Sequence, residues 1–328
     1  MKPKAYVTRI LPDKAWEMIE KFCEAEVWEG ELPPSREVLL DKVKETEGLL
    51  CLLTDEIDAP LMDAAPELKV ISNCAVGYDN IDVKAATERG IIVGNTPGVL
   101  TETTADLAFA LLMATARRIP EATRFVRAGK WKTWGLTVLL GQDIHGATLG
   151  IVGMGRIGSA VAKRASGFGM KIFYHDVLRR EEFEEELGVV FTDLERLLRE
   201  SDFVTLHVSL AKETHHLIGR KELEIMKPTA ILINTSRGPI VDQEALYDAL
   251  KSGQIAAAGL DVTDPEPISP DDPLLSLDNC VVLPHIGSAS IATRTKMATM
   301  AAENLIAGLK GEMPPNPVNP EVLSSRVG

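Results

Sequence analysis

The chain has 328 residues, which at roughly 150 residues per domain predicts two domains. Apolar residues make up 45% and charged residues 25%, proportions that exclude a disordered or collagen-like chain. The formal net charge of −13 argues against non-specific binding to nucleic acid or to anionic membranes, and we expect neither partner.

Short apolar segments alternate with helix-like segments along the whole chain, a pattern that predicts an α/β fold with parallel sheets covered by helices. The predicted strands are Ala5–Thr8, Leu49–Leu53, Lys69–Ser72, Ile91–Val93, Leu149–Val152, Lys171–Tyr174, Phe203–Leu206, Ala230–Asn234, Ala256–Gly259 and Val281–Leu283. The predicted helices include Lys14–Phe22, Arg36–Lys44, Thr101–Val126, Arg156–Phe168, Gln243–Lys251 and Ser290–Leu309.

Two features of the sequence indicate domain boundaries. The irregular segment Gly129–Gly146 separates a long helix from the strand at Leu149, and the longest remaining helix begins soon after His285. We therefore predict a nested arrangement. Residues 1–100 and 289–328 form one domain, and residues 101–288 form the other.

The cysteines and the N-terminus predict a cytoplasmic protein. The amino-terminal residues are basic but lack the apolar stretch of a signal peptide. The apolar segment Thr104–Ala116 is too short to span a bilayer and contains Asp106, so a buried helix fits it better. No CxxC pair occurs, which favours free thiols in a reducing compartment for Cys23, Cys51, Cys74 and Cys280.

A glycine motif after the strand at Leu149 predicts a dinucleotide site. Gly153, Gly155 and Gly158 form GxGxxG between that strand and an amphipathic helix. In such motifs the glycines allow a tight turn, close approach of a pyrophosphate and close helix packing. Asp176 ends the following strand, at a spacing where an acid accepts hydrogen bonds from the ribose hydroxyls of NAD.

The charges beyond that strand bear on the choice of cofactor. Arg179 and Arg180 are candidates for holding the 2′-phosphate of NADP. Asp176 and the acidic run Glu181–Glu186 would repel that phosphate. The sequence therefore favours NAD(H), with NADP(H) as the open alternative.

Of the six histidines, two form an adjacent pair, two are candidates for the site, and His145 and His175 stay unassigned. His215 and His216 are adjacent and lack other ligands at metal-binding spacing, so we predict no metal site. His207 follows the strand Phe203–Leu206, and the end of a parallel strand is where ligands bind, so we expect it at the cofactor site. His285 likewise stands between a predicted strand and a helix.

Arg237 and Glu266 follow strands in the same way as His285, which predicts three polar side chains at one edge of a sheet. This set suits hydride transfer to a 2-keto acid. A protonated histidine is the natural proton donor near neutral pH, and a neighbouring Glu266 would stabilise the charged imidazole. The guanidinium of Arg237 suits the substrate carboxylate.

These motifs resemble the D-isomer-specific 2-hydroxyacid dehydrogenases over essentially the whole chain. The matching segments are NCAVGYDNID, GNTPGVLTETTADLAFALLMATARRI, GIVGMGRIG, ILINTSRGPIVD, AAAGLDVTDPEP and LPHIGSA. The WKTWG and GEMPPNPVNPEVL segments are most similar to the glyoxylate/hydroxypyruvate reductases of that family. The resemblance implies a Rossmann-type doubly wound cofactor domain inserted into a flavodoxin-like α/β substrate domain.

The resemblance also implies roles for individual residues. Arg237, Glu266 and His285 would form the catalytic set. The cofactor would be bound by Gly153, Gly155, Arg156, Ile157, Gly158, Asp176, His207, Thr235, Arg237, Asp261, His285 and Gly287. The substrate would contact Leu53, Val76, Gly77, Trp134, Arg237, His285 and Ser288, and the backbone N–H groups of Val76 and Gly77 would bind its carboxylate. The sequence departs from the family at Ser209, where the family usually has proline.

Three hypotheses about the function stay open. The leading one is an NADH-dependent reductase of glyoxylate and hydroxypyruvate. Another 2-keto acid, such as 2-ketogluconate or phenylpyruvate, is the nearest alternative, and an NAD-bound dimeric scaffold like the C-terminal-binding corepressors is a third. The apolar segment around Trp131 and Trp134 predicts that this part of the chain packs against another surface, and the resemblance implies a homodimer in which Trp134 reaches the partner's active site.

Overall fold

The computed structural model describes residues 1–324. The chain forms two compact units, the first from Met1–Leu100 with the described residues from Ala289 onward, and the second from Thr101–Ser288. Residues 325–328 of the predicted domain 289–328 lie outside the described residues. Elements are numbered along the whole chain.

The first unit is built on a five-stranded parallel sheet with the order β2-β1-β3-β4-β5. Its strands are β1 Lys4–Val7, β2 Glu24–Val27, β3 Gly48–Cys51, β4 Val70–Asn73 and β5 Ile92–Gly94. Its helices are α1 Asp13–Phe22, α2 Arg36–Lys42, α3 Ala59–Asp63, α4 Val83–Glu88, α12 Ile291–Leu309 and α13 Glu321–Ser324.

Helix α12 returns from the end of the chain to cover one face of this sheet. It packs closely because small residues face the strands, and a Cβ added at Gly308 would lie 2.6 Å from Cβ of Val70. The Ser72 hydroxyl on β4 donates to the Ala301 carbonyl at 2.7 Å, so this buried polar group is satisfied. The first unit therefore combines strands from the first hundred residues with a helix made much later.

The second unit carries a seven-stranded parallel sheet with the order β12-β11-β10-β9-β6-β7-β8. Its strands are β6 Thr148–Val152, β7 Lys171–His175, β8 Val190–Phe191, β9 Phe203–Leu206, β10 Ile231–Asn234, β11 Ala257–Leu260 and β12 Cys280–Val282. Its helices are α5 Thr101–Ala116, α6 Ile119–Arg127, α7 Arg156–Ser166, α8 Glu181–Leu187, α9 Leu194–Glu200, α10 Arg220–Ile225 and α11 Gln243–Ser252.

The two parallel sheets confirm the predicted α/β class, and the register of the second sheet aligns its strand ends. Val152 of β6 pairs with Leu206 of β9, and Asn234 of β10 pairs with both Leu206 and Leu260 of β11. Neighbouring strands therefore end at the same level, and the residues that follow them emerge at one edge of the sheet.

The prediction of one helix over Thr101–Val126 is wrong, because the structure divides it into α5 and α6. Arg118 adopts a left-handed backbone with φ of 52°, which ends the first helix. Pro120 has no N–H to donate to the carbonyl four residues earlier, that of Ala116. That carbonyl accepts from the Gln142 N–H at 2.9 Å instead.

Two short strands were not predicted, and both lie at sheet edges. β2 has the sequence EAEV, and its residues alternate between exposed and half-buried. β8 has two residues, both exposed. β2 lacks the apolar run by which a buried strand is recognised in sequence, and the apolar run at β8 is too short to be recognised as one.

The four cysteines are free thiols in the structure. Burial raises the pKa of Cys23 to about 11 and that of Cys74 and Cys280 to about 12, so these thiols stay protonated near neutral pH. Within residues 1–324, no helix is both long and apolar enough to cross a bilayer.

Candidate active site

The glycine turn after β6 has two positions where only glycine fits. Gly153 has φ of +95°, and a Cβ there would lie 2.7 Å from the carbonyl carbon of His207. A Cβ at Gly158 would lie 2.0 Å from the Gly153 carbonyl oxygen. The turn and the start of α7 are therefore packed directly against each other and against the end of β9.

Gly155, between those two, faces open space. No atom lies within 4 Å of a Cβ added there, and Gly155 caps α7 without a side-chain hydrogen bond. The N–H groups of Arg156 and Ile157 open the helix, where backbone donors and the helix dipole favour anions. This cradle fits the pyrophosphate of a nicotinamide dinucleotide, with Gly155 allowing its close approach.

Asp176 joins the end of β7 to the glycine turn. Its Oδ2 accepts from the Met154 N–H at 2.7 Å, and its Oδ1 accepts from the Leu178 N–H at 3.2 Å. Each carboxylate oxygen has a further lone pair for a ribose hydroxyl. The carboxylate is thus fixed beside the cradle, where an adenosine ribose would lie.

Arg179 is already engaged by an acid of its own unit. Its Nε and Nη2 donate to Glu184 Oε1 and Oε2 at 2.9 and 2.7 Å. This bidentate pair lowers the pKa of Glu184 to about 2, so the carboxylate is charged across the physiological range. Arg180 differs, since its Nε is buried and has no hydrogen-bond partner among residues 1–324.

His207 and Thr235 follow β9 and β10 at the same edge. Burial lowers the pKa of His207 to about 3, so its imidazole is neutral near pH 7. A hydrogen bond of 2.9 Å joins His207 Nε2 to the Thr205 hydroxyl oxygen. The Thr235 hydroxyl is buried and, within the described part of the chain, without a partner, which leaves it available to a bound ligand.

His285 and Glu266 form the central contact of the site. His285 Nδ1 lies 2.5 Å from Glu266 Oε1, and both side chains are partly exposed. His285 has a left-handed backbone with φ of 52°, which is uncommon for a residue with a side chain. Because Nδ1 faces the carboxylate, Nε2 is the nitrogen left for a reacting group.

Asp261 holds the loop that carries His285. Its oxygens accept from the N–H groups of Ile286 and Gly287 at 2.8 and 2.7 Å, and its carbonyl accepts from the His285 N–H at 2.9 Å. Burial raises the pKa of this carboxyl group, and the two N–H donors act against that rise. The resemblance implies that Asp261 is a cofactor contact. The part that Asp261 plays in fixing the His285 backbone was not predicted, although its place directly after β11 was a signal.

Arg237 lies in the loop after β10 and is half-buried. Its Nη1 donates to the Ser236 carbonyl at 2.8 Å, and its own carbonyl accepts from the Asn234 side-chain amide at 2.8 Å. Arg237, Glu266 and His285 thus follow three neighbouring strands, β10, β11 and β12, and can act on one ligand at that edge.

The remaining predicted substrate contacts are spread over both units. Leu53 follows β3 and Val76 and Gly77 follow β4, and all three are half-buried in the first unit. Ser288, also half-buried, ends the second unit. Trp134 lies in the segment between α6 and β6, where 76% of its surface is exposed.

Comparison with known proteins identifies the family of this site. Residues 109–287 match the family model described as the D-isomer specific 2-hydroxyacid dehydrogenase NAD binding domain. The chain is 61% identical to a glyoxylate reductase of Korarchaeum cryptofilum over 327 residues, covering 99% of this chain and 98% of that protein. A glyoxylate reductase of Thermococcus litoralis is 57% identical, covering 99% of each chain.

Two solved structures have the same fold. A protein of Thermus thermophilus superposes with a TM-score of 0.91 at 51% identity, covering 96% of this chain and 99% of that one. The NADPH-dependent glyoxylate/hydroxypyruvate reductase of Sinorhizobium meliloti, in complex with NADP and malonate, superposes with a TM-score of 0.87 at 35% identity, covering 98% of each chain.

The two glycines of the cradle should respond differently to alanine. Gly155→Ala should fold normally and weaken NADH binding, because its Cβ enters open space where the pyrophosphate approaches. Gly158→Ala should lower the melting temperature, because its Cβ overlaps the Gly153 carbonyl. Thermal unfolding and NADH fluorescence titration separate the two effects. A Gly155→Ala variant with unchanged NADH affinity would contradict this assignment of the cradle.

Proposed function

The chain belongs to the D-isomer-specific 2-hydroxyacid dehydrogenases and is an NAD(P)-dependent oxidoreductase, and we propose that it reduces glyoxylate and hydroxypyruvate with NADH. The observation that carries the proposal is the His285–Glu266 pair, which lies at the sheet edge that also holds the glycine turn. The names of the relatives at 61% and 57% identity support the choice of these two acids.

In this proposal His285 supplies the proton of the reaction. A nicotinamide held by the glycine turn and Asp176 would supply the hydride that the carbonyl carbon accepts. His285 gives the Nε2 proton to the carbonyl oxygen, which becomes the hydroxyl of the product. Glu266 accepts from Nδ1 and stabilises the imidazolium before transfer, and it also orients the ring.

Arg237 binds the substrate carboxylate and polarises the carbonyl in this scheme. Its planar guanidinium matches a carboxylate with two parallel hydrogen bonds, which a lysine cannot provide. The first unit serves as the substrate domain and the second as the cofactor domain. Leu53, Ser288 and the backbone of Val76 and Gly77 would contact the substrate.

NADH is the proposed cofactor because of the charges around the adenosine end. Asp176 is fixed beside the cradle and would repel a 2′-phosphate. Arg179, which would otherwise attract that phosphate, is paired with Glu184. Arg180 keeps NADPH as a weaker alternative, and the Sinorhizobium meliloti enzyme is NADPH-dependent.

We also propose a homodimer formed through the segment between α6 and β6. Several apolar side chains on α6 and in this segment are exposed, namely Ile119, Val126, Trp131, Trp134, Leu136, Val138 and Leu140. A cavity of about 690 Å³ lies beside them, lined by the end of α5, by α6 and by β12. An apolar surface of this extent favours a second copy over water, with Trp134 reaching the partner's substrate pocket.

A reducing, cytoplasmic location is part of the same proposal. The four cysteines are free, and burial keeps all four protonated near neutral pH. A chain that kept four thiols unpaired in an oxidising compartment would be unusual.

The proposed substrate and cofactor are tested by a panel of 2-keto acids with both nicotinamides. We expect kcat/KM to be highest for glyoxylate and hydroxypyruvate, and higher with NADH than with NADPH. Faster reduction of phenylpyruvate or 2-ketogluconate would reject the substrate. If NADH is not consumed with any keto acid, the result would favour the hypothesis that the protein is an NAD-bound dimeric scaffold.

A substitution at Glu184 tests whether the Arg179–Glu184 pair disfavours NADPH. Glu184→Gln releases Arg179 and should raise kcat/KM with NADPH while leaving the value with NADH nearly unchanged. Glu186→Gln is the matched control, because Glu186 lies on the same helix and pairs with Lys163. An equal response of both variants would mean that Arg179 does not face the 2′-phosphate.

His285→Ala should lower kcat by about 10²–10⁴-fold, because the general acid is lost, while NADH affinity stays within about twofold. His216→Ala is the control, since His216 has the same backbone φ of 52° but lies outside the proposed site. Glu266→Gln should also lower kcat while NADH affinity is unchanged, because the imidazole loses the carboxylate that orients it. An unchanged kcat in Glu266→Gln would reject the pairing as catalytic.

Trp134→Ala should raise KM for the keto acid in an otherwise folded dimer. Trp131→Ala removes a similar apolar area three residues away and should leave that KM unchanged. Light scattering gives the oligomeric state, and circular dichroism checks the fold. A fully active wild-type monomer would reject the dimer and the shared pocket together.

A further inference from the structure

The loop after β4 has three consecutive carbonyl groups held from one side. The Ala75 carbonyl accepts from the Thr96 N–H at 2.9 Å, and the Val76 carbonyl accepts from the Asn95 side-chain amide at 2.8 Å. The Gly77 carbonyl accepts from the Asn73 side-chain amide at 2.9 Å. All of these donors follow or end β4 and β5 within the first unit.

Holding the carbonyls fixes the direction of the N–H groups. In a trans peptide the C=O and the following N–H point in opposite directions. The N–H groups of Val76, Gly77 and Tyr78 therefore point away from Asn73, Asn95 and Thr96. Among residues 1–324 none of these three N–H groups donates a hydrogen bond to the protein. A run of backbone donors on one side of a loop is suited to an anion.

The two asparagines are themselves rigidly placed. Asn73 is 0% exposed and Asn95 is 8% exposed. The Asn73 amide also donates to Asn80 Oδ1 at 3.1 Å, and Asn80 in turn donates to the Leu52 and Asp55 carbonyls at 3.0 and 2.9 Å. The loop of Leu53 and the loop of Val76 and Gly77 are thereby tied to one another through side-chain amides.

The backbone of Asn95 is fixed independently of its side chain. Its carbonyl accepts from the Asn304 amide at 2.8 Å, and its N–H donates to the Asn316 carbonyl at 3.1 Å. Substituting the Asn95 side chain therefore leaves both of these backbone contacts in place. The side chain can be tested with little disturbance to β5.

We propose that Asn73 and Asn95 are positioning residues that aim the N–H groups of Val76, Gly77 and Tyr78 at the carboxylate of the substrate. The inference rests on the proposed function, because it assumes that a 2-keto acid binds at this loop. Neither asparagine touches the reacting atoms. They act by removing the freedom of the peptide groups to rotate, so that the donors are aligned before the substrate arrives.

The test compares substitutions of the two asparagines with a buried asparagine elsewhere. Asn95→Asp keeps the size of the side chain and replaces the donor with an acceptor, and Asn73→Ala removes the second donor. Asn319→Ala is the control. Asn319 is 1% exposed and hydrogen bonds to Val93, Ile91 and Thr87 of the same unit, away from the loop.

We expect both loop variants to raise KM for glyoxylate about tenfold, with kcat and the Kd of NADH within about threefold of wild type. The Kd of oxamate, which carries a carboxylate beside a carbonyl, should rise equally in calorimetry on the NADH-loaded enzyme. Asn319→Ala should lower the melting temperature without changing either constant. The size-matched Asn95→Asp decides the test if Asn73→Ala does not fold.

Two results would overturn the inference. One is wild-type affinity for oxamate in folded loop variants, and the other is an equal loss in Asn319→Ala. Failure of the proposed function looks different. If wild type binds oxamate and the loop variants do not, but no 2-keto acid is reduced, the positioning role stands and the reductase assignment falls.

Discussion

The seven strands of the second unit all run in one direction, and this constraint determines where the functional residues of that unit lie. Parallel strands need a crossover between each pair, so every strand meets the same edge with its carboxyl end. The glycine cradle, Asp176, Arg237 and the His285 loop each follow a different strand of this sheet. Residues far apart in sequence are therefore gathered without any long loop having to reach across the unit.

Both units use the same local device to fix a functional loop. A buried polar side chain just beyond or at the end of a strand holds the backbone of a neighbouring loop, so that the loop keeps one shape. Asp261 does this for His285 in the second unit, and Asn95 does it for Val76 in the first. The N–H groups of the second-unit loop donate to Asp261, whereas those of Val76, Gly77 and Tyr78 have no acceptor among residues 1–324.

The sequence predicted the residues that carry the chemistry better than it predicted the residues that hold them in place. The family, the α/β fold and ten of the strands follow from apolar runs and from motifs such as GxGxxG. The edge strand β2 was not predicted because an edge strand needs little apolar character, and β8 was not predicted because it is only two residues long. The break between helices α5 and α6 at Arg118 was not predicted, because the apolar pattern continues past it. In the sequence, Asn73 and Asn95 are simply polar residues at strand ends. Only the folded loop shows that their side-chain amides donate to the Gly77 and Val76 carbonyls.

The return of α12 to the first sheet has a consequence for biosynthesis. The ribosome completes β5 about two hundred residues before it completes α12, and at 5–20 residues per second that interval is roughly 10–40 s. During it, one face of the five-stranded sheet lacks its covering helix, while the contiguous second unit can fold from Thr101 to Ser288. The nascent chain thus exposes apolar strand surface at Val70 and Ile92, a natural target for chaperones.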